Sequence, residues 1–241
     1  MDLTMSFRAL IAAALLSTTG GLAMATEAAK PTAVQADQSV GAGWSAEVAP
    51  GSTSGITLDP AQTEIVNKIN GYFNSLDNLS GRFVQTGADG KVMKGKFQMK
   101  RPGRFRFDYA RPSLQVIISD GVYLAIQDLD LKNEDRVELD QTPFRLLLRK
   151  DVDLVRDAKI SAVENAGDSV ALTVRDKSPD TSGAIRLTFA TQPEFTLTGW
   201  ITRDAQGLDT KVEIGDLDNK TELDPKQFVI KPVGTAFKTE Y

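Results

Sequence analysis

The feature that most constrains the fold is a two-residue alternation of apolar and polar side chains, which begins near residue 82 and continues almost to the C-terminus. Alternation of this kind is typical of β-strands with one buried face, because successive side chains of a strand point to opposite sides of the sheet. Polar turns separate the runs, and one of them, Ser119-Asp120-Gly121, supplies the glycine that a tight hairpin needs. We count about eleven runs, near residues 82–87, 95–100, 104–109, 114–119, 122–126, 134–139, 157–164, 169–175, 184–190, 195–203 and 208–217.

The alternating strands predict a curved sheet with one apolar face. Short connections favour antiparallel neighbours, and eleven strands carry more apolar surface than two modest helices can cover. Because a strongly twisted sheet of this size tends to curl, we predict a mainly β fold with a few helices: a half-barrel of about eleven antiparallel strands under a lid of helices. A closed barrel with a filled interior and a two-sheet sandwich remain open alternatives. The residues expected to line the concave face are Phe97, Met99, Phe105, Phe107 and Tyr109.

Two segments follow a helical period instead. Asp59 is a suitable N-cap for a helix over residues 60–76, with Pro60 at its first position and Gln62 completing a capping box. Asn78 and Gly81 are expected to end this helix. Its apolar positions are Ile65, Ile69, Phe73 and Leu76.

A second, shorter helix is predicted at residues 142–149, inserted between strands. Thr142 is expected to cap it and Pro143 to open it. Its apolar face, the candidate lid surface, consists of Phe144, Leu147 and Leu148.

The N-terminus is typical of an exported protein. Arg8 precedes an apolar run at residues 9–16, and Ala23-Met24-Ala25 forms a small-x-small cleavage site, so residues 1–25 are predicted to be a signal peptide. The apolar run is too short to span a bilayer. Residues 26–57 contain almost no large apolar side chains and are predicted to be a flexible linker, which leaves residues 58–241 as the folded domain.

Composition excludes several kinds of function. The chain has neither cysteine nor histidine, which removes thiol nucleophiles, Ser-His-Asp triads and the usual zinc sites. Chemistry that depends only on carboxylates or lysine survives this filter, but no catalytic motif supports it. A formal net charge of −4 does not suit a general nucleic-acid binder. We therefore expect a binding protein without enzymatic activity, cofactor, metal or nucleic-acid partner.

From residue 79 onward, the order and spacing of several short motifs resemble the outer-membrane lipoprotein carrier family, LolA. The matching residues are Phe83-x-Gln85, Gly95, Arg101-Pro102-x-x-Phe105-x-Phe107-x-Tyr109-x-x-Pro112, Ser119-Asp120-Gly121, Pro143 with Leu147 and Leu148, and Asp224-Pro225-x-x-Phe228.

This resemblance implies a monomeric periplasmic carrier built as an eleven-stranded half-barrel. An inner-membrane ABC transporter would hand it an acylated lipoprotein, which it would deliver to an outer-membrane acceptor. Arg101 resembles the family's lid arginine, which hydrogen-bonds to the covering helices, and Phe105 resembles a position that affects how tightly cargo is held. Phe107 stands where the family usually has tryptophan, and Gln127-Asp128 replaces an aromatic-Asp pair.

Three other functions fit the same pattern of residues. A lipid or glycolipid carrier, or a sensor that binds lipoproteins or misplaced envelope components, would use the same apolar cavity. A structural β-domain would have an interior filled by its own side chains and would bind no ligand.

Overall fold

The structure is a computed structural model that describes residues 55–178, 183–204 and 206–233. The predicted signal peptide (1–25) and most of the predicted linker (26–57) lie outside these ranges. The same is true of residues 234–241 at the end of the predicted domain.

Eleven strands form a single antiparallel sheet, which is curved and open. The strands follow the order β6-β5-β4-β3-β2-β1-β11-β10-β9-β8-β7, so the first and last strands pair at the centre while β6 and β7 form the two edges. The predicted half-barrel is therefore confirmed, and the closed barrel and the sandwich are wrong. The strands are β1 (Asn78–Thr86), β2 (Val92–Lys100), β3 (Arg104–Tyr109), β4 (Gln115–Asp120), β5 (Tyr123–Asp128), β6 (Asn133–Glu138), β7 (Ala158–Asn165), β8 (Ser169–Asp176), β9 (Ala184–Ala190), β10 (Thr196–Arg203) and β11 (Asp209–Asp218).

Helix α1 (Pro60–Ser75) begins as its sequence predicts. The Asp59 carboxylate accepts a hydrogen bond from the Gln62 N–H at 2.8 Å, and the Gln62 side chain accepts one from the Asp59 N–H at 3.1 Å, which completes the capping box. The helix buries Val66, Ile69 and Phe73 in the hydrophobic core.

The helix ends at Ser75, one residue before the predicted bound, but the prediction that Asn78 and Gly81 end it is wrong. The backbone at Leu76 is already extended, and Asn78 is the first residue of β1. Gly81 lies inside that strand, where a Cβ atom would come within 2.6 Å of the Gly215 backbone oxygen on β11. Close approach of two strands, not helix termination, accounts for this glycine.

Residues 139–157, here called the lid segment, connect the two edge strands. They contain a 3-10 turn at Leu139–Gln141 and two single-turn helices, α2 (Arg145–Leu148) and α3 (Leu154–Asp157). The helix predicted over 142–149 is therefore shorter than expected, and Thr142 does not cap it, because its hydroxyl donates to the Leu139 backbone oxygen at 2.8 Å and closes the preceding turn. None of the helices in the described ranges is long and apolar enough to cross a membrane.

The convex face of the sheet is also covered in one place. The chain after β11 forms a 3-10 turn at Pro225–Phe228 that packs against β3 and β4, and Ile230 packs on Val116, Ile118 and Ala125. This second cover explains why β4 is apolar on both faces, whereas the strand pattern led us to expect cover on one side only.

Candidate functional site

An apolar cavity lies between the concave face of the sheet and the helices. The five residues predicted from β2 and β3 all line it, namely Phe97, Met99, Phe105, Phe107 and Tyr109, and so do the predicted lid residues Phe144, Leu147 and Leu148. The sequence reasoning missed the contribution of the other half of the sheet, which supplies Leu187, Leu197, Trp200, Val212 and Ile214. The alternation in β9, β10 and β11 was visible, but it did not indicate which face was concave.

Five aromatic rings, here called the aromatic cluster, pack together with Phe107 at their centre, and all of them except the buried ring of Phe83 line the cavity. Its ring centroid lies 5.0 Å from Phe83, 5.6 Å from Phe97, 6.0 Å from Phe105 and 6.2 Å from Trp200. These separations are typical of favourable aromatic contacts. The four phenylalanine rings of the cluster therefore present a continuous apolar surface without a polar atom, and the indole of Trp200 adds one N–H group to it.

Gly95 makes room for this cluster. It pairs with Phe83 on β1 and with Tyr109 on β3. A Cβ atom at Gly95 would lie 2.5 Å from a ring carbon of Phe83 and 2.2 Å from the Asp108 backbone oxygen. The glycine thus allows the Phe83 ring to lie flat across the neighbouring strand.

The lid closes directly onto this cluster, and little space remains beneath it. The rings of Phe105 and Phe144 lie 5.9 Å apart, which joins the sheet to the lid segment. The volume of the cavity is about 100 Å³. Since a protein cavity of roughly 150 Å³ holds one benzene molecule, a long acyl chain does not fit in this closed form. Occupation by such a chain requires the sheet and the lid to separate.

Arg101 bridges α1 and the lid segment from the turn between β2 and β3. Its Nη1 donates to the Phe73 backbone oxygen and, at 3.4 Å, to that of Leu76 at the C-terminus of α1. Its Nε donates to the Arg149 backbone oxygen at 3.1 Å, to which Nη2 also donates, and Nη2 donates to the Lys150 oxygen at 3.2 Å. The partial negative charge at a helix C-terminus favours a cation in this position.

All hydrogen-bond acceptors that the structure describes for Arg101 are uncharged oxygens, since its remaining one is the Asn74 side-chain oxygen at 3.5 Å. Burial lowers the pKa of Arg101, while the charges of Asp77 and Asp151 act in the opposite direction. An arginine pKa starts so high that the group stays protonated. The free-energy cost of burying the Arg101 charge therefore offsets part of the stabilisation from these hydrogen bonds. Water can replace their uncharged acceptors more easily than it can replace the carboxylate of a buried ion pair.

The turn that carries Arg101 also bonds to the lid through its backbone. The Gly103 N–H donates to the Leu148 oxygen at 2.9 Å. Gly103 has a φ of +73°, and a Cβ atom there would lie 2.7 Å from the Cα of Gly121 in the neighbouring hairpin. Only glycine suits both the backbone conformation and this approach.

Two asparagines on one face of α1 bind the lid segment. The Asn74 side chain accepts from the Val152 N–H at 2.8 Å and donates to the Val152 oxygen at 2.9 Å. Asn70, one turn earlier, accepts from the Leu154 N–H at 3.0 Å. Helix α1 and the lid segment are thus linked to each other as well as to Arg101.

A buried ion pair ties the lid segment to the far half of the sheet. Arg145 on α2 donates to both carboxylate oxygens of Asp176 at the end of β8, at 2.7 Å for Nη2 and Oδ1. The Asp176 side chain is 0% exposed and that of Arg145 is 18% exposed. The hydrogen bond to Asp176 raises the pKa of Arg145.

Two polar side chains in the lining, Tyr109 and Gln85, are hydrogen-bonded to each other. The Tyr109 hydroxyl donates to the Gln85 side-chain oxygen at 2.6 Å, and burial raises the pKa of Tyr109, so the hydroxyl stays protonated and remains a donor. Among the described residues, no group of three or more acidic side chains is placed to hold a metal ion. The arrangement is suited to holding apolar groups through contact surface and to orienting them through a few polar atoms.

Comparison with known proteins finds that this chain is similar to proteins described as lipoprotein carriers. The family described as outer membrane lipoprotein carrier protein LolA matches residues 74–231. The outer-membrane lipoprotein carrier protein of Chromobacterium violaceum is 31% identical over 72% of this chain and 86% of that protein. The protein of the same name from Pseudomonas aeruginosa is 29% identical over 68% and 81%. Among solved structures, a LolA superfamily protein from Nitrosomonas europaea matches with a TM-score of 0.43 and 13% identity over 68% of this chain and 97% of that one.

Proposed function

Because the chain belongs to the LolA family of outer membrane lipoprotein carrier proteins, we propose that it carries acylated lipoproteins across the periplasm. Residues 1–25 would direct its export, and the linker and half-barrel domain would form the mature protein. The observation that carries this proposal is the apolar cavity, which is nearly collapsed beneath a lid held by exchangeable hydrogen bonds.

The cavity suits acyl chains because it offers contact surface and almost nothing else. Each CH₂ group removed from water contributes about 0.8 kcal/mol, so a free triacylated lipoprotein would be very unfavourable in an aqueous compartment. We propose that the cargo binds against Phe97, Met99, Phe105, Phe107 and Tyr109. The same apolar surface would favour aggregation if it were exposed to water in the empty carrier, which explains the need for a lid.

Arg101 is proposed as the latch of that lid, and Phe144, Leu147 and Leu148 as its inner surface. The latch has to hold when the carrier is empty and yield when cargo arrives. The backbone carbonyl partners of Arg101 support this role. When the lid opens, water or another part of the chain can replace these carbonyls as acceptors, and no unpaired carboxylate is left opposite Arg101. Binding of cargo would then shift an equilibrium between closed and open forms.

In this scheme the protein receives lipoproteins from an inner-membrane ABC transporter and passes them to an outer-membrane acceptor, acting as a monomer and without chemical catalysis. The decisive test is to deplete the protein from cells and to locate the lipoproteins by membrane fractionation. Accumulation at the inner membrane is expected. Unchanged delivery to the outer membrane would overturn the proposal.

The purified protein distinguishes this function from its alternatives. Mass spectrometry of copurifying material should find triacylated lipoprotein or lipopeptide. A glycolipid or phospholipid alone would identify a lipid carrier instead. A protein that binds lipoproteins but surrenders none to outer-membrane vesicles would be a sensor, and one that binds no acylated probe would be a structural β-domain.

A further inference from the structure

The indole nitrogen of Trp200 is a donor without an acceptor. Trp200 lines the cavity from β10, and its Nε1 is buried and has no hydrogen-bond partner among the residues that the structure describes. A buried donor left unpaired is unfavourable, and such groups are rare in folded proteins. A phenylalanine would pack in the aromatic cluster without this cost. The described residues of the closed protein therefore do not explain why a tryptophan, with its N–H donor, occupies this position.

A second donor lies in the same row of the sheet. Trp200 pairs with Val212 on β11, and Val212 pairs with Gln85 on β1, so the three residues stand side by side across adjacent strands. Gln85 is only 3% exposed and lines the cavity. Its oxygen accepts from the Tyr109 hydroxyl, while its amide N–H groups donate to no described residue. Tyr109 thus fixes the amide with its donor side available.

Two donors in an otherwise apolar cavity select for an acceptor. A carbonyl oxygen fits, because it accepts without having to donate, whereas a hydroxyl or amine would bring an unpaired N–H or O–H into the same dry site. Resting on the proposed function, we propose that Trp200 and Gln85 donate hydrogen bonds to the ester carbonyl oxygens of the cargo's diacylglyceryl group.

This placement orients the cargo. On β1, Gln85 lies seven residues from Asn78, which pairs with Lys100 next to the latch, and at about 3.3 Å per residue the separation is about 23 Å. One leaflet of acyl chains spans about 15 Å, half of a bilayer's hydrocarbon core. The carbonyl end therefore lies at the Trp200–Gln85 row, and the hydrocarbon extends over the aromatic cluster toward the Arg101 end.

The test compares a synthetic diacylglyceryl lipopeptide with its dialkyl twin, in which ether links replace the esters. The wild-type protein should bind the ester form about 25-fold more tightly, which is about fivefold for each of the two proposed hydrogen bonds. Trp200→Phe should reduce this preference, and so should Gln85→Leu combined with Tyr109→Phe, which leaves no orphaned hydroxyl. Phe107→Leu is the matched control, because it should weaken both lipopeptides equally and leave their ratio unchanged.

Two further measurements make the result unambiguous. Trp200→Phe should unfold at the same temperature as the wild type or higher, since it removes an unpaired donor; a large loss of stability would mean that Trp200 has a structural role instead. In a Trp44→Phe background, bromine near the carbonyl end of the chains should quench Trp200 fluorescence more than bromine near the methyl end. Equal binding of the two lipopeptides by the wild type would overturn this inference alone, whereas binding of neither would overturn the proposed function.

Discussion

Replacing Arg101 by leucine should make the carrier hold its cargo more tightly. The substitution removes the guanidinium donors to the backbone oxygens of Phe73 in α1, of Leu76 just after it, and of Arg149 and Lys150 in the lid segment. In the proposed scheme these bonds exist only while the lid is closed. The variant should therefore lose stability in the closed, empty form and lose little in the open, loaded form.

The size of the effect follows from the environment of the side chain. A hydrogen bond to a charged group contributes about 1.5–3 kcal/mol net, and burial of Arg101 offsets part of the gain from having several such bonds. The lid also keeps its other ties, through Gly103 and Asn74. We expect the closed form to lose about 1.5–3 kcal/mol in total. At 1.4 kcal/mol per factor of ten, the open population rises about 10- to 100-fold.

The measurement is the affinity for a fluorescent triacylated lipopeptide, together with its transfer to outer-membrane vesicles. Arg101→Leu should bind the lipopeptide at least tenfold more tightly and release it more slowly, with its lid more sensitive to protease. Arg101→Lys should fall between Arg101→Leu and the wild type, because one ammonium group cannot reach all five acceptor oxygens. Arg82→Leu is the matched control, since the Arg82 side chain is 72% exposed and its ion-pair partner among the described residues is exposed Asp216.

The outcome that contradicts this reasoning is specific. If Arg101→Leu and Arg82→Leu both bind and release the lipopeptide as the wild type does, with equal protease sensitivity, Arg101 is an ordinary surface charge. Thermal unfolding of each variant must be recorded as well, because a partly unfolded Arg101→Leu would bind acyl chains nonspecifically.

Three further predictions concern stability. Arg145→Met should lower the free energy of unfolding in urea by about 3 kcal/mol, because it leaves the buried Asp176 carboxylate without its ion-pair partner. Asp176→Asn should cost less, because the partly exposed Arg145 side chain can turn to solvent. Equal losses in the two variants would contradict this reasoning. Gly95→Ala should lower the free energy of unfolding by about 1–3 kcal/mol and weaken lipopeptide binding, because the alanine methyl group would come too close to the aromatic cluster. An unchanged free energy of unfolding would contradict the close packing described for Gly95. The hydrogen bond from Arg156 lowers the pKa of Asp157, so this carboxylate stabilises the fold above its unfolded pKa of about 3.9, and its contribution disappears as the pH falls through the folded value. Asp157→Asn should therefore melt below the wild type at pH 7 and match it in strong acid; a gap that persists there would exclude the charge as its cause.

How far the sequence could predict this molecule depended on the range of the interactions. The capping box at Asp59 and the alternation of β3 are local, and both were correctly predicted. The predicted role of Thr142 as the cap of the following helix is wrong. Its hydroxyl can bond to the turn before it or to the helix after it, and tertiary contacts favour the bond to Leu139 in the preceding turn. Trp200 was missed for a related reason: its distance from Phe107 depends on pairing between β1 and β11, which no local pattern encodes.

The closed cavity sets how the carrier can work. Moving a two-state lid from 1:99 to 99:1 requires about 5.5 kcal/mol of differential binding, which corresponds to roughly seven CH₂ groups at about 0.8 kcal/mol each. A single long acyl chain has more methylene groups than this, so one chain is enough to open a lid held by a few hydrogen bonds. The same comparison means that reclosing the lid cannot drive a chain back into water. The free energy gained when the lid hydrogen bonds re-form is only a fraction of the free energy lost when the chain is exposed to water. On the proposed function, release therefore requires a second apolar site that takes over the chain as it leaves, and the proposed Arg101 latch affects only how readily the empty carrier then closes.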